Sequence, residues 1–232
     1  MQRRVRALIT TRSGGVSSGK FASLNLSARV GDDPQCVARN RAILRACLPA
    51  EPAWVKQVHG TAVIDAARAA RDAEADGVVA HDASTVCAVM TADCLPVLLS
   101  DRAGRSVGIA HAGWRGLAGG IVENVVQAMD VPPRELIAYI GPGIGARRYE
   151  VGEDVHKAFV DTDPAAARSF APRQDGKYLV DLYGLARQRL ATAGVAEVYG
   201  GEFCTASEER FFSFRRDQTT GRMASLIWLE ED

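Results

Sequence analysis

The stretch VCAVMTADCLPVLLS (86–100), followed after a short polar break by VGIA (107–110), decides the fold class of this chain. It holds three apolar, strand-length runs, 86–90, 96–99 and 107–110, rich in valine, leucine and isoleucine. The breaks between them are too short for the dozen or so residues that a parallel crossover needs, so these strands are expected to pair antiparallel. Upstream, 54–58, 62–64 and 77–80 repeat the pattern. VRALIT (5–10) reads as a first strand, ahead of the glycine- and serine-rich loop RSGGVSSG (12–19).

Asp33 followed by Pro34 has the form of an N-cap with proline at the first helical position. Val37, Leu44 and Leu48 follow at helical spacing, which predicts a helix through about residue 48. Downstream, 121–129, 152–160 and 182–193 read as helices, 136–140 as a strand, and 211–214 and 225–229 as late strands. Segregated strands with several helices give an α+β layered fold. Without a low-complexity linker or a fixed-period repeat, residues 1–232 read as one domain.

Of the 232 residues, 47% are hydrophobic and 24% charged, enough to bury a core that folds unaided. Lys plus Arg and Asp plus Glu both number 28, so overall charge offers nothing to a polyanion, and no nucleic-acid partner is expected. The N-terminus lacks the apolar core of a signal peptide, and no run approaches the ~20 apolar residues of a membrane span, so no membrane partner is expected either. Cys36, Cys47, Cys87, Cys94 and Cys204 are odd in number and irregularly spaced. That argues against a disulfide framework and for a cytoplasmic home.

Two of the four histidines stand in unusual surroundings. His59 in KQVHG (56–60) and His111 in HAGWRG (111–116) each follow a strand-like run ahead of glycine. There a side chain can project into a cleft while the backbone turns. Cys94 in TADC (91–94) lies at the junction of two apolar strands. Imidazole and thiolate donors suit zinc, and three protein ligands leave a fourth position open, as a catalytic site requires. Spacing alone leaves alternatives standing, since the gaps of 94 − 59 = 35 and 111 − 94 = 17 residues contain no paired-ligand motif. Cys94 reads equally as a small buried hydrophobe, the histidines as turn residues, or Cys94 as a nucleophile with His59 or His111 as its base.

The ordered set LNL (24–26), VGDD (30–33), Asn40-Arg41, KQVHG, TADC, HAGWRG, Gly141-Pro142, YEVG (149–152) and FFSFRRDQTTGR (211–222) closely resembles the YfiH-like family. That family is also called the laccase-domain or multicopper polyphenol oxidoreductase family, and the resemblance runs nearly end to end. It implies a four-layer α/β/β/α fold with two mixed, mainly antiparallel sheets flanked by helices. It also implies a zinc ion on two histidines and one cysteine, which fall on His59, Cys94 and His111; by intrinsic affinity such a donor set would also take copper. The implied chemistry is purine nucleoside phosphorolysis, of adenosine, inosine and methylthioadenosine with phosphate, together with adenosine deamination. Polyphenol oxidation, editing of peptidoglycan precursors and a catalytically idle metal-binding domain are the rival readings. A multicopper oxidase needs many histidines, and four fall short.

Several further residues are candidates by chemistry. Asp93, beside Cys94, either transfers a proton, orients a ligand or stabilises a turn. Arg41 and Arg115 lie in family-like motifs and could bind phosphate through their planar forks. Asn25 and Gln57 could hydrogen-bond ribose or base, or satisfy loop backbone. Arg12 is a weaker candidate. The Arg215-Arg216 pair lines the site, makes a subunit contact or is simply solvated. His81 and His156 are read as surface residues, and Cys204 as a core thiol.

Overall fold

Nearly every residue of the two strands that follow Cys94 is buried, as happens when both faces of a sheet are covered. They are β6 (Leu95–Asp101) and β7 (Val107–Ala112), the middle of a six-stranded sheet. The computed structural model describes residues 4–231 apart from 69, 71 and 84. The sheet runs β12 (Glu197–Gly200), β8 (Leu136–Ile140), β6, β7, β4 (Gly77–Ala80), β3 (Val63–Asp65). Its four inner strands pair antiparallel, and β3 and β12 lie parallel to their neighbours. A second sheet runs β1 (Arg4–Ile9), β13 (Met223–Glu230), β5 (Val86–Thr91), β2 (Pro52–Ala53), with only the β2–β5 pair parallel.

Val78, Val89, Leu98, Ile109 and Ile227 fill the space between the two sheets. The far face of the four-stranded sheet is covered by α1 (Pro34–Arg45), whose Leu44 packs with Val86, Leu226 and Trp228. The far face of the six-stranded sheet carries α3 (Ile121–Ala128), α4 (Glu153–Val160) and α5 (Leu182–Thr192), through Val125, Phe159 and Leu185. Helix, sheet, sheet, helix is the expected layering, with mixed and mainly antiparallel ladders. The α3 face comes close because Gly108 has no side chain; a Cβ there would lie 2.8 Å from Val125 Cγ1. Asp33 caps α1 by accepting from the Gln35 N–H, with Pro34 first in the helix. The helix ends at Arg45, short of the expected 48.

Three expectations change, and two elements were not anticipated. Residues 54–58 do not form a strand: beyond β2 there is only an isolated bridge between Lys56 and Glu74. There the Gln57 side-chain amide, not the backbone, pairs with the Met90 N–H and C=O, both at 2.8 Å. Residues 211–214 are not a strand either. Phe211 and Phe212 pack with Ala92 and Met223, so burial rather than a ladder explains their apolar run, and Ser213 then caps the short α6 (Phe214–Asp217). His156 is half-buried and not free at the surface; it stacks on Tyr178 at 4.4 Å and meets Phe170 edge-on. A third sheet of β10 (Phe170–Pro172), β11 (Tyr178–Val180) and β9 (Glu150–Val151) was not anticipated. Nor was α2 (Trp114–Gly119). All five cysteines are free thiols, and no described helix is long and apolar enough to cross a membrane.

The loop over 12–19 is pinned by Asn40, a fully buried amide. It accepts the Val16 N–H and donates to Ser17 Oγ and the carbonyls of Ser23 and Asn25. Asn40→Ala strands several of these groups away from water. It should therefore cost about 2–4 kcal/mol, read as a fall of several degrees in Tm. At the end of the six-stranded sheet, Arg187 of α5 donates to the carbonyls of Val198 (3.0 Å) and Gly200 (2.5 Å) on β12.

Candidate metal centre

β5 stops at Thr91 and β6 starts at Leu95, so residues 92–94 form a tight connector. Asp93 adopts φ +94° within it, a conformation that aspartate tolerates better than most residues. Each oxygen of its carboxylate accepts one hydrogen bond: Oδ1 from Thr205 Oγ1 and Oδ2 from the Arg215 backbone N–H, both at 2.6 Å. This turn presents Cys94. His111 sits near the end of β7, opposite Pro96 of β6. His59 occupies a left-handed turn with φ +59°.

That turn exists because of a residue the sequence did not flag. Asp76, buried ahead of β4, accepts the backbone N–H groups of Val58 (3.1 Å), His59 (3.0 Å) and Gly60 (2.7 Å). Its Oδ1 also lies 2.7 Å from His111 Nδ1. A carboxylate at this distance places the imidazole proton on Nδ1 and leaves Nε2 free to face the other donors. Burial works against the Asp76 charge, yet the hydrogen bonds from His111 and from the Gly60 and Val58 amides hold its pKa below the ordinary carboxylate value.

The donor atoms of His59, Cys94 and His111 all lie within 4.8 Å of one another. The two rings meet edge-on at 4.8 Å, and Cys94 Sγ is 3.9 Å from His59 Nε2. Burial opposes charge at Cys94 and at His111, but their mutual attraction prevails. The thiol is drawn down and the imidazole up, as in a thiolate–imidazolium pair. The donor set thus fits a metal cation: the thiolate is a ready ligand, and a bound cation would take the place of the His111 Nε2 proton while Asp76 holds the Nδ1 proton behind it. Gly113 opens the space, since a Cβ there would lie 2.9 Å from His59 Cδ2 and 3.0 Å from Cys94 Sγ.

The triad lines a cavity of about 430 Å³. Asp93 and Gln57 also line it, although the Gln57 amide is spent on Met90. Asn25, Arg41 and Arg115 stand outside its lining, as do Arg12 and Arg216. Asn25 is fully buried, bonded to Ser27, Asp32 and the Arg222 backbone. Arg41 donates to the Leu26 carbonyl and stacks over Trp54, and Arg115 lies exposed over the Trp114 ring. The arginines that line the cavity are Arg29, Arg215 and Arg222, with the Tyr149 phenol and the Phe214 ring. Tyr149, Arg215 and Arg222 lay within stretches that the motif comparison already marked. Arg29 had no signal beyond its place between two such stretches.

Three convergent donor side chains in an α/β/β/α fold, beside a cavity sized for a small molecule, define a protein with a candidate metal site and a ligand chamber. The chain belongs to the multi-copper polyphenol oxidoreductase laccase family, whose model matches residues 6–230. It is 50% identical to the Escherichia coli protein named purine nucleoside phosphorylase YfiH, over 97% of this chain and 94% of that one. It is 49% identical to a purine nucleoside phosphorylase of Pseudomonas aeruginosa, over 98% and 95%. Among solved structures, a Neisseria meningitidis protein at 54% identity superposes with a TM-score of 0.94, covering 98% of this chain and 95% of that one. YlmD of Geobacillus stearothermophilus, at 35% identity, gives 0.90 over 98% and 92%.

Proposed function

We propose that this protein is a zinc-dependent purine nucleoside phosphorylase, acting on adenosine, inosine and methylthioadenosine. The observation that carries the reading is the meeting, in one cavity, of the His59–Cys94–His111 donor set with three arginine side chains. The names of the relatives support it. Zinc on the triad would supply a Lewis acid that polarises a substrate oxygen. The chain's own groups supply the rest. The arginines attract and orient phosphate, whose oxygen attacks the ribose C1′ as the bond to the base breaks. The departing purine carries the electron pair of that bond and needs a hydrogen-bond donor. Tyr149 is suited to this, because burial and the Cys94 thiolate hold its phenol protonated against a smaller pull from Arg215.

Deamination would need an acid free to shuttle protons. Asp93 is the one carboxylate lining the cavity among the described residues, whereas three arginines line it. That balance of charge favours binding of phosphate, and so phosphorolysis. Incubating zinc-loaded protein with inosine and phosphate should release hypoxanthine and ribose 1-phosphate in equal amounts. Zinc-loaded protein that releases no free base from inosine or adenosine would refute the proposal.

A further inference from the structure

We propose that Arg222 and Arg215 form the phosphate subsite of this cavity, and that Asn25 and Asp93 are positioning residues that hold those arginines by their backbones. The inference rests on the phosphorolytic reading above and deepens it.

Arg222 is half-buried, and its Nη1 is anchored at 3.0 Å to the carbonyls of Thr220 and Gly221 in its own turn. Its Nε and Nη2 make no hydrogen bond to the protein among the described residues. Arg215 uses only Nη1, on the Glu150 carbonyl at 2.8 Å, with its guanidinium over the Tyr149 ring. Neither side chain has a carboxylate partner among the described residues, whereas the third cavity arginine, Arg29, is paired with Asp72. Half-buried Arg222 and exposed Arg215 both line the cavity with guanidinium donors left free, so an anion there can engage both forks. A phosphate dianion matches their forks. Phe214 ties them together: it precedes Arg215, and its ring centroid is 6.0 Å from the Arg222 guanidinium carbon.

Both arginines are placed from behind by a buried polar side chain distant in sequence. Asn25 Oδ1 accepts the Arg222 N–H at 2.9 Å, and Asp93 Oδ2 accepts the Arg215 N–H at 2.6 Å. Asp93 then acts through hydrogen-bond geometry and not through its proton. The amide of an Asp93→Asn variant can still accept from Arg215 and donate to Thr205, and asparagine tolerates the left-handed backbone. Asp93→Gly keeps that backbone but removes the contact.

In steady-state phosphorolysis, Arg222→Gln and Arg215→Gln should each raise KM for phosphate by about tenfold or more, with KM for inosine changed far less. Arg222→Lys should recover part of the loss. Asp93→Gly should likewise raise KM for phosphate, while Asp93→Asn stays close to wild type. A large fall in kcat for Asp93→Asn at unchanged KM for phosphate would overturn the positioning role in favour of proton transfer. Inorganic phosphate should also raise the Tm of the zinc-loaded wild type and not that of Arg222→Gln. An equal shift in both would overturn the subsite. If the wild type cleaves no nucleoside yet shows this Arg222-dependent shift, the subsite stands and the phosphorylase reading falls.

Discussion

Gly113→Ala is expected to give a folded protein that has lost its metal. The backbone at Gly113, with φ −66° and ψ 159°, suits any residue, so alanine brings no conformational strain. The conflict is steric and local: the added methyl would sit 2.9 Å from His59 Cδ2, 3.0 Å from Cys94 Sγ and 3.6 Å from His59 Nε2. These are the outer atoms of side chains, and they can swing away at small cost to the fold. Zinc bonds of about 2.0–2.3 Å tolerate no such displacement. The loss in affinity should exceed the roughly 10–100-fold typical when only an outer partner of a ligand is removed. Metal content after purification, set beside an unchanged circular dichroism spectrum and a metal-free Tm near that of metal-free wild type, decides it. Retention of stoichiometric zinc would show that the ion does not sit where the three donors converge.

The second large effect belongs to Asp76→Asn. One carboxylate serves four donors here, two on each oxygen. Asparagine turns one of those oxygens into a donor facing donors, so about two hydrogen bonds are lost in a fully buried place. About 3–5 kcal/mol of stability should go with them, and metal affinity should fall roughly 10–100-fold because the His111 ring loses its anchor. The acid limb of the stability profile should change as well. The Asp76 pKa is lowered in the folded state, so its stabilisation is complete above the unfolded value of about 3.9 and lost as the pH falls through the folded one. Chemical denaturation of the metal-free wild type and Asp76→Asn, followed from about pH 7 down to about pH 2, should show the two curves converging in acid. Parallel curves would assign the stabilisation elsewhere.

These two residues mark the limit of what the sequence reveals. His59, Cys94 and His111 were legible because imidazole and thiolate are scarce and stood at the ends of apolar runs, and the family resemblance then singled them out. Asp76 was not, since an aspartate before glycine in AEADG (73–77) reads as an ordinary turn; only burial reveals four donors converging on it. The sheet-forming runs from 77 to 110 were legible because strands covered on both faces must be apolar throughout. Phe211 and Phe212 were misread for the same reason, as an apolar pair says that a segment is buried but not whether its backbone pairs. Arg41 and Arg115 illustrate a further gap. Motif membership named the right stretches of chain, while the choice of which arginine faces the cavity depends on stacking partners such as Trp54 and Trp114 that no spacing rule reveals.

The Arg187 contacts on β12 bear on how this protein behaves when crowded. A terminal strand of a large sheet exposes carbonyls that can template pairing with a neighbouring molecule and seed aggregation. β12 is the end strand beside β8, and its Val198 and Gly200 carbonyls are taken by a guanidinium from the adjoining helix. The cation closes that border to an incoming strand and leaves a positive charge where one would dock. Arg187 thus guards the open border of the six-stranded sheet against strand addition.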